Sequence, residues 1–296
     1  MSLIKKLLQL SQKSEMQKLV HGATDVGRLR SGNEDFFTID NDKNLFIVAD
    51  GMGGHNAGDV ASSNAVKMTD EFLTKEKLGE VRGDIRKTRE TIIQSILYAH
   101  ENILKMAGAD PRYEGMGCTI VAALIFGNNL HLCHVGDARA YISNENGMTL
   151  LTRDHSYVMD LVINGKLSIE EARVSPLKNK LHQAVGALTA IKPDYKHCFL
   201  KEGDKILLCS DGLWDMLSDD QMHTVLKQDK PVKKLCELLI TMANDAGGHD
   251  NITALVIQHK EKFEEGPDPT EEELEILKST GEYSFVFTNP VEEETE

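Results

Sequence analysis

The chain has 296 residues, of which 41% are hydrophobic and 27% are charged, so it is long enough to bury a sizeable core. No apolar run reaches the roughly 18 residues of a membrane-spanning helix, and the five cysteines form no CxxC pair indicating a zinc site or disulfide framework. The net charge of −14 lies mostly in residues 261–296, with 13 acidic and two basic side chains, and the near-neutral remainder lacks the basic surface that nucleic acid demands.

The first 20 residues predict an amphipathic helix outside the main domain. Apolar residues at positions 3, 4, 7, 8 and 10 follow helical spacing, and Lys5 and Lys6 interrupt them. This interruption makes the segment unlike a signal peptide. A helix that docks on the body and one that contacts a membrane surface are both compatible with the pattern.

Residues 21–260 predict one α+β domain. Short β-branched runs joined by tight polar turns favour antiparallel hairpins, with strands at 35–40, 45–50, 119–127, 129–136, 139–143, 205–212 and 252–258. Apolar residues at three- and four-residue intervals predict helices at 59–74, 84–106 and 231–246. Blocks of strands alternating with blocks of helices favour packed sheets with helices outside them.

Two segments depart from this regular pattern. Residues 154–185 have a helical pattern interrupted by polar groups, Gly165 and Pro176, which predicts an irregular flap. From residue 261 the chain becomes acidic, and Thr270 with Glu273 fits a capping box that opens a helix. We interpret residues 261–296 as a C-terminal extension that docks on the body or on a partner.

Five carboxylates stand at the ends of apolar runs or in glycine-rich turns: Glu34, Asp50, Asp137, Asp211 and Asp250. Any single one is explained equally well as a turn former, since Asp-Gly is a common hairpin turn. Five at the mouth of one sheet would repel each other and need cations. Oxygen ligands favour Mg²⁺ or Mn²⁺ over zinc, and two such ions activate a bridging water for attack on phosphorus. The residue types therefore predict metal-assisted phosphoryl hydrolysis.

Seven motifs between about residues 21 and 259 carry a family resemblance: RLRSGNEDFF, VADGMGGHNAGDVAS, GMGCTIVAAL, HVGDARAY, LTRDHSYV, LLCSDGLWDML and GGHDNITALVI. In this order they resemble the bacterial branch of the metal-dependent serine/threonine protein phosphatases, the PPM or type 2C family. The resemblance implies a four-layer αββα sandwich of two antiparallel sheets flanked by helices. It also implies a two-metal centre in a cleft between the sheet edges.

By position in these motifs, the resemblance implies a role for each metal-site residue. Asp50 would bridge both ions, and the carbonyl of Gly51 would bind one of them. Asp211 and Asp250 would complete the first metal site. Glu34 would contact the second ion, directly or through its water shell.

The resemblance also implies a third ion and a group that binds phosphate. Asp137 and Asp211 would hold the third ion, while Arg30 would bind the substrate phosphate in a bidentate manner. Side chains expected to support these groups from behind are Asp25, Asp35, His55 and Asn251. Met52 stands where some members carry a histidine that acts as general acid. We expect His55 to be a solvated loop residue that does not replace it.

The resemblance implies hydrolysis of phosphoserine and phosphothreonine in proteins with Mn²⁺ or Mg²⁺, in the cytoplasm and in opposition to a serine/threonine kinase. Two alternatives stay open: a pseudophosphatase that only binds phosphoproteins, and a phosphatase for a small phosphoester. A pseudophosphatase would require a lost metal ligand, and all five carboxylates are present. A metal-dependent nuclease also uses clustered carboxylates, but the weakly charged body argues against it.

Overall fold

The computed structural model describes residues 19–53 and 57–260, in which ten strands and eight α-helices are formed. The strands are β1 (Val20–Asp25), β2 (Asp35–Asp40), β3 (Leu45–Met52), β4 (Gly117–Phe126), β5 (Asn129–Val135), β6 (Arg139–Asn144), β7 (Gly147–Leu150), β8 (Asp194–Phe199), β9 (Lys205–Cys209) and β10 (Ile252–Gln258). The helices are α1 (Ala57–Phe72), α2 (Lys75–Val81), α3 (Ile85–Ala109), α4 (Tyr157–Ile163), α5 (Ile169–Val174), α6 (Asp211–Trp214), α7 (Asp219–Leu226) and α8 (Val232–Asp245).

The strands form two five-stranded antiparallel sheets, as the hairpin spacing predicts. One sheet has the order β1-β10-β9-β6-β7 and the other has the order β2-β3-β4-β5-β8. The turn between β2 and β3 shows how local residues produce such a hairpin. Asp40 Oδ1 accepts the amide hydrogens of Asp42 and Lys43 at 2.9 and 3.1 Å, and Asn44 adopts a left-handed φ of 53°.

The alternation of side chains along β3 separates the layers. Phe46 and Val48 lie in the core between the two sheets, whereas Leu45 and Ile47 pack against helices α1 and α3. On the opposite side, helices α6, α7 and α8 cover the β1-β10-β9-β6-β7 sheet with a third apolar cluster. The predicted four-layer αββα sandwich is therefore confirmed.

Sequence patterns locate the central strands better than the peripheral elements. The predicted helices 59–74, 84–106 and 231–246 are formed with shifts of one to three residues, but strands β1, β7 and β8 are missed. The irregular segment 154–185 contains the short helices α4 and α5. All five cysteines are free and buried, as expected of reduced thiols.

Three sequence predictions fall outside the described residues: the amphipathic segment up to residue 18, His55 and the acidic extension from 261. Among the residues that are described, no helix combines the length and apolar character needed to cross a membrane.

Candidate active site

The two sheets bring carboxylates from distant parts of the chain to one place. Asp50 lies near the end of β3, directly opposite Asp35 on β2. From the other sheet, Asp211 follows β9 at the first residue of α6, and Asp250 precedes β10. Asp137 lies in the turn between β5 and β6 and is buried. The charges of the other four carboxylates all lie close enough to Asp50 to act on its titration.

Burial and the repulsion of neighbouring charges raise the pKa values of Asp50, Asp137 and Asp211. Burial, followed by the charges of Asp35, Asp211, Asp137 and Asp250, raises the pKa of Asp50 well above its ordinary value. The pKa of Asp137 is raised in the same way, by burial and then by Asp211. Burial and Asp250 raise the pKa of Asp211 to about 6. Without a cation, the charged forms of these three carboxyl groups are therefore disfavoured.

Asp35 supports this cluster from inside the protein. Its Oδ2 accepts hydrogen bonds from the hydroxyls of Ser210 and Thr253, both at 2.6 Å. Burial nevertheless raises its pKa to about 8. Asp35 Oδ1 and Asp211 Oδ1 are both buried, yet no N–H or hydroxyl donor of the described residues reaches either oxygen. Orphaned carboxylate oxygens in an all-oxygen cluster fit hard divalent cations such as Mn²⁺ and Mg²⁺.

Arg30 brings a positive charge to the rim of the cluster. Its Nη2 donates to Asp250 Oδ2 at 2.6 Å, and half of its side chain is exposed. One guanidinium beside several carboxylates leaves the cluster with far more acidic than basic side chains. Its exposed half also leaves N–H groups of the planar fork available to a ligand at the rim.

Asn251 holds together the segments that carry Arg30, Glu34 and Asp250. Its Oδ1 accepts the Glu34 amide at 2.8 Å, and its Nδ2 donates to the carbonyls of Val26 and Gly32 at 3.0 and 2.9 Å. All these hydrogen bonds of the Asn251 side chain thus go to backbone groups. Asn251 thus orients the surrounding loops, and its supporting role behind a metal site stays a prediction.

Gly51 allows β3 to pass against the start of helix α1. A Cβ at residue 51 would lie 2.1 Å from the carbonyl oxygen of Gly58, and one at residue 58 would lie 2.6 Å from Glu34 Oε2. The Gly51 amide donates to the Glu34 carbonyl at 3.0 Å, which also accepts the Ser62 hydroxyl at 2.6 Å. The glycines therefore let the Glu34 carbonyl and carboxylate approach the end of β3 and the start of helix α1 closely.

The Gly51→Ala variant is expected to lose about 1–3 kcal/mol of stability because its methyl group overpacks against backbone. Misplacing Asp50 and Glu34 by about 1 Å should lower turnover about 100-fold. Denaturant titration and phosphate release measure both effects. Gly79→Ala, in helix α2 where an added Cβ meets nothing within 4 Å, is the matched control and should retain full turnover. Full activity of Gly51→Ala would contradict the close-packing account.

Three further predicted residues are Asp25, Met52 and Asp137. Asp25 Oδ1 accepts the Gly27 amide at 2.9 Å and Asn244 Nδ2 at 3.1 Å, so it shapes the turn that leads to Arg30. Met52 ends β3 and is half-buried. The Asp137 carbonyl accepts Trp214 Nε1 at 3.1 Å.

A second group of potential metal ligands lies beside this cluster. One ligand atom each of His134, His155 and Asp194 falls within 4.8 Å of the others. The His155 ring, however, accepts the Gly136 amide at Nδ1, 3.2 Å away, so its proton resides on Nε2. Nε2 is the nitrogen that lies 3.3 Å from Asp194 Oδ2, and a protonated nitrogen binds no metal. The position of this proton therefore argues against a metal ion on His155 Nε2.

Sequence reasoning missed the groups that act through tertiary contacts. Ser210 and Thr253 hold Asp35, Trp214 holds the Asp137 carbonyl, and Gly58 admits Glu34. Ser210 immediately precedes Asp211, and that adjacency is its only sequence signal. No local pattern distinguishes the other three from ordinary core and helix residues.

Comparison with known proteins agrees with this arrangement. Residues 30–255 match the family model described as protein phosphatase 2C. The chain is 36% identical over 245 residues to the serine/threonine phosphatase stp of Listeria monocytogenes, covering 79% of this chain and 93% of that protein. The Mycobacterium tuberculosis serine/threonine phosphatase PstP/Ppp has a TM-score of 0.73 and 32% identity, covering 81% and 98%. The PstP catalytic domain in complex with two manganese ions has a TM-score of 0.71 and 31% identity, covering 81% and 96%.

Proposed function

The chain belongs to the protein phosphatase 2C family and is a serine/threonine protein phosphatase, and we propose that its reaction takes place at the Asp50 carboxylate cluster. The proposed metal ligands are Glu34, Asp50, the Gly51 carbonyl, Asp137, Asp211 and Asp250. Arg30 is the proposed phosphate-binding residue. Its substrates are phosphoserine and phosphothreonine side chains of proteins.

One observation carries the assignment: the acidic cluster is buried or half-buried and has insufficient positive charge of its own. Asp35 and Asp137 are almost inaccessible, while Asp50, Asp211 and Asp250 retain partial exposure toward the cleft. The pKa values of Asp35, Asp50 and Asp137 rise because burial and the neighbouring negative charges disfavour their charged forms. Two divalent ions, as in the manganese complex of the related PstP, would supply that compensation.

The ions, when bound, polarise the phosphate and lower the pKa of the water that attacks phosphorus. The protein residues hold this centre in shape. Asn251 fixes the Glu34 backbone, and the Ser210 and Thr253 hydroxyls orient Asp35 behind Asp50. Arg30, held at the rim by Asp250, presents a planar fork to the phosphate oxygens and neutralises part of the dianion's charge.

The direct test is phosphate release from a phosphothreonine peptide and from p-nitrophenyl phosphate. With Mn²⁺ we expect turnover of both, and EDTA should abolish it because the carboxylates without metal repel the phosphate dianion. If neither substrate releases phosphate with Mn²⁺, the proposal is contradicted. Turnover of the peptide alone would indicate strong selection for protein substrates, and turnover of p-nitrophenyl phosphate alone would favour a small phosphoester.

Arg30→Ala is expected to lower kcat/KM for the phosphopeptide about 100-fold, with most of the effect in KM, because a charged bidentate contact is lost. Arg30→Lys should recover only part of this loss since an ammonium cannot bind two phosphate oxygens as a fork. Arg28→Ala is the matched control because Arg28 is an exposed arginine on the same loop. Equal losses from Arg28→Ala and Arg30→Ala would contradict the assignment.

Several finer points are part of the same proposal. We expect a third ion at Asp137 and Asp211, Mn²⁺ or Mg²⁺ as the working metal, and a serine/threonine kinase that phosphorylates the substrates. Location in the cytoplasm, docking of the acidic extension and the minor role of His55 stay predictions. The Met52 side chain has no proton that it could donate to the leaving group.

A further inference from the structure

The turn that carries Asp137 is held by His155 at both peptide units that flank the Gly136 Cα. The Gly136 amide donates to His155 Nδ1 at 3.2 Å, and the Gly136 carbonyl accepts the His155 amide at 3.0 Å. Gly136 has a φ of 95°, in the left-handed region that favours glycine. His155 therefore contacts the residue immediately before a proposed metal ligand through two separate hydrogen bonds.

The His155 ring is itself fixed from its other sides. It is fully buried and stacks on the His134 ring with centroids 4.8 Å apart and an interplanar angle of 18°. His134 Nε2 donates to the Arg153 carbonyl at 2.9 Å, so the stacking partner is also held in place. His155 Nε2 lies 3.3 Å from Asp194 Oδ2 on the neighbouring strand β8. A buried ring with these three neighbours has one orientation.

We infer that His155, oriented by Asp194, is a positioning residue that presents Asp137 to the proposed metal centre. The inference rests on the proposed function because it assigns to Asp137 a ligand role. A turn free to rotate about Gly136 would move the Asp137 carboxylate away from Asp211, whereas the His155 ring and the His155 backbone amide hold the peptide units on the two sides of Gly136. Partners that orient a ligand from behind in this way typically change metal affinity by about 10–100-fold.

Two substitutions of similar volume separate the hydrogen bond from simple packing. His155→Asn keeps an acceptor, since an asparagine Oδ1 reaches about as far as the histidine Nδ1, whereas His155→Leu removes it. His197→Leu is the matched control for loss of a buried histidine, because His197 is equally buried on β8 but bonds Asn129 at 2.8 Å instead of the turn. All variants are made in the full chain.

The first measurement is amide hydrogen exchange of Gly136 and Asp137 in the metal-free protein. We expect exchange at these two amides to be at least about tenfold faster in His155→Leu than in His197→Leu, and to return close to the wild-type rate in His155→Asn. Equal exchange rates in His155→Leu and His197→Leu would overturn the inference. So would a ¹⁵N NMR spectrum of the wild type placing the proton of His155 on Nδ1.

The second measurement is a Mn²⁺ binding isotherm followed by electron paramagnetic resonance of the free ion. The ion that is lost in Asp137→Ala should bind about tenfold more weakly in His155→Leu and normally in His155→Asn, with the tighter ions unchanged. If all ions weaken alike in His155→Leu, the residue is only structural and the inference fails. If Asp137→Ala binds Mn²⁺ like the wild type, the proposed ligand role of Asp137 fails, while hydrogen exchange still decides whether His155 holds the turn.

Discussion

The Asp211→Asn variant is expected to lose at least about a thousandfold in kcat/KM and yet to be more stable than the wild type when metal is removed. An amide cannot supply the negative charge that a proposed metal ligand must provide, and several kcal/mol of transition-state stabilisation should disappear with it. Stability should change in the opposite direction because Asp211 is held near other carboxylates. Removing one charge relieves that repulsion.

The size of the stabilisation follows from the titration of the group. Burial, and then the charge of Asp250, raises the pKa of Asp211 to about 6. Near neutral pH the folded protein therefore carries an unfavourable negative charge on Asp211. We expect the neutral amide to raise the metal-free unfolding free energy by about 1–3 kcal/mol. Urea titration in EDTA measures this, and the same titration with Mn²⁺ should show the wild type as the more stable protein.

Asp245→Asn is the matched control for this experiment. Asp245 is exposed at the end of helix α8, so the substitution should change neither turnover nor metal-free stability appreciably. An Asp211→Asn variant that retained full activity would remove Asp211 from the metal centre. A variant less stable than the wild type in EDTA would contradict the repulsion between the buried acids.

Metal-free protein is expected to become less stable as the pH rises from about 6.5 to about 8. Burial raises the pKa of Asp35 to about 8, far above that of an unfolded aspartate. The folded protein therefore keeps a proton that the unfolded chain has already lost, so stability falls with rising pH until this proton dissociates near pH 8. The slope should approach about 1.4 kcal/mol per pH unit for this group.

Addition of Mn²⁺ should reverse the direction of this pH dependence. Metal binds the ionised carboxylates, so its affinity and its stabilisation of the folded state rise as the protons leave. Thermal unfolding at several pH values, with EDTA and with Mn²⁺, measures both curves. Asp35→Asn retains an acceptor for Ser210 and Thr253 and should flatten the metal-free curve. Metal-free stability that rises with pH in this window would contradict a buried, protonated Asp35 as its cause.

The choice of this window excludes the opposing effect of buried histidines. Burial lowers the pKa of His134, His197 and His259 to about 4. Each of these rings is neutral when folded but protonated when unfolded at acid pH, so their contribution rises between about pH 4 and 6.5. Above pH 6.5 these rings are neutral in both states. The aspartates therefore determine the slope there.

Regularly repeating patterns explain why the central strands were predictable. Strands β3 and β4 contain long apolar runs because both faces of the strands are covered, and the residues of β3, β4 and β5 are buried from end to end or nearly so. Strand β1 reads VHGATD, with glycine and polar residues and no apolar run. It forms because all six of its residues pair with β10, more than 220 positions away in the chain. No local pattern records such a pairing.

The acidic residues of the site and their positions at strand ends were determined by the sequence itself. Oxygen ligands, glycines that allow close approach and a nearby arginine are properties of residue type and local spacing, so they can be read without coordinates. Tertiary structure alone decided which groups stand behind the carboxylates. Ser210 and Thr253 reach Asp35 from 175 and 218 positions away, and the His155 tautomer follows from a hydrogen bond to Gly136. Such contacts depend on how the two sheets face each other. Folding of the whole chain determines that arrangement, and no local sequence pattern encodes it.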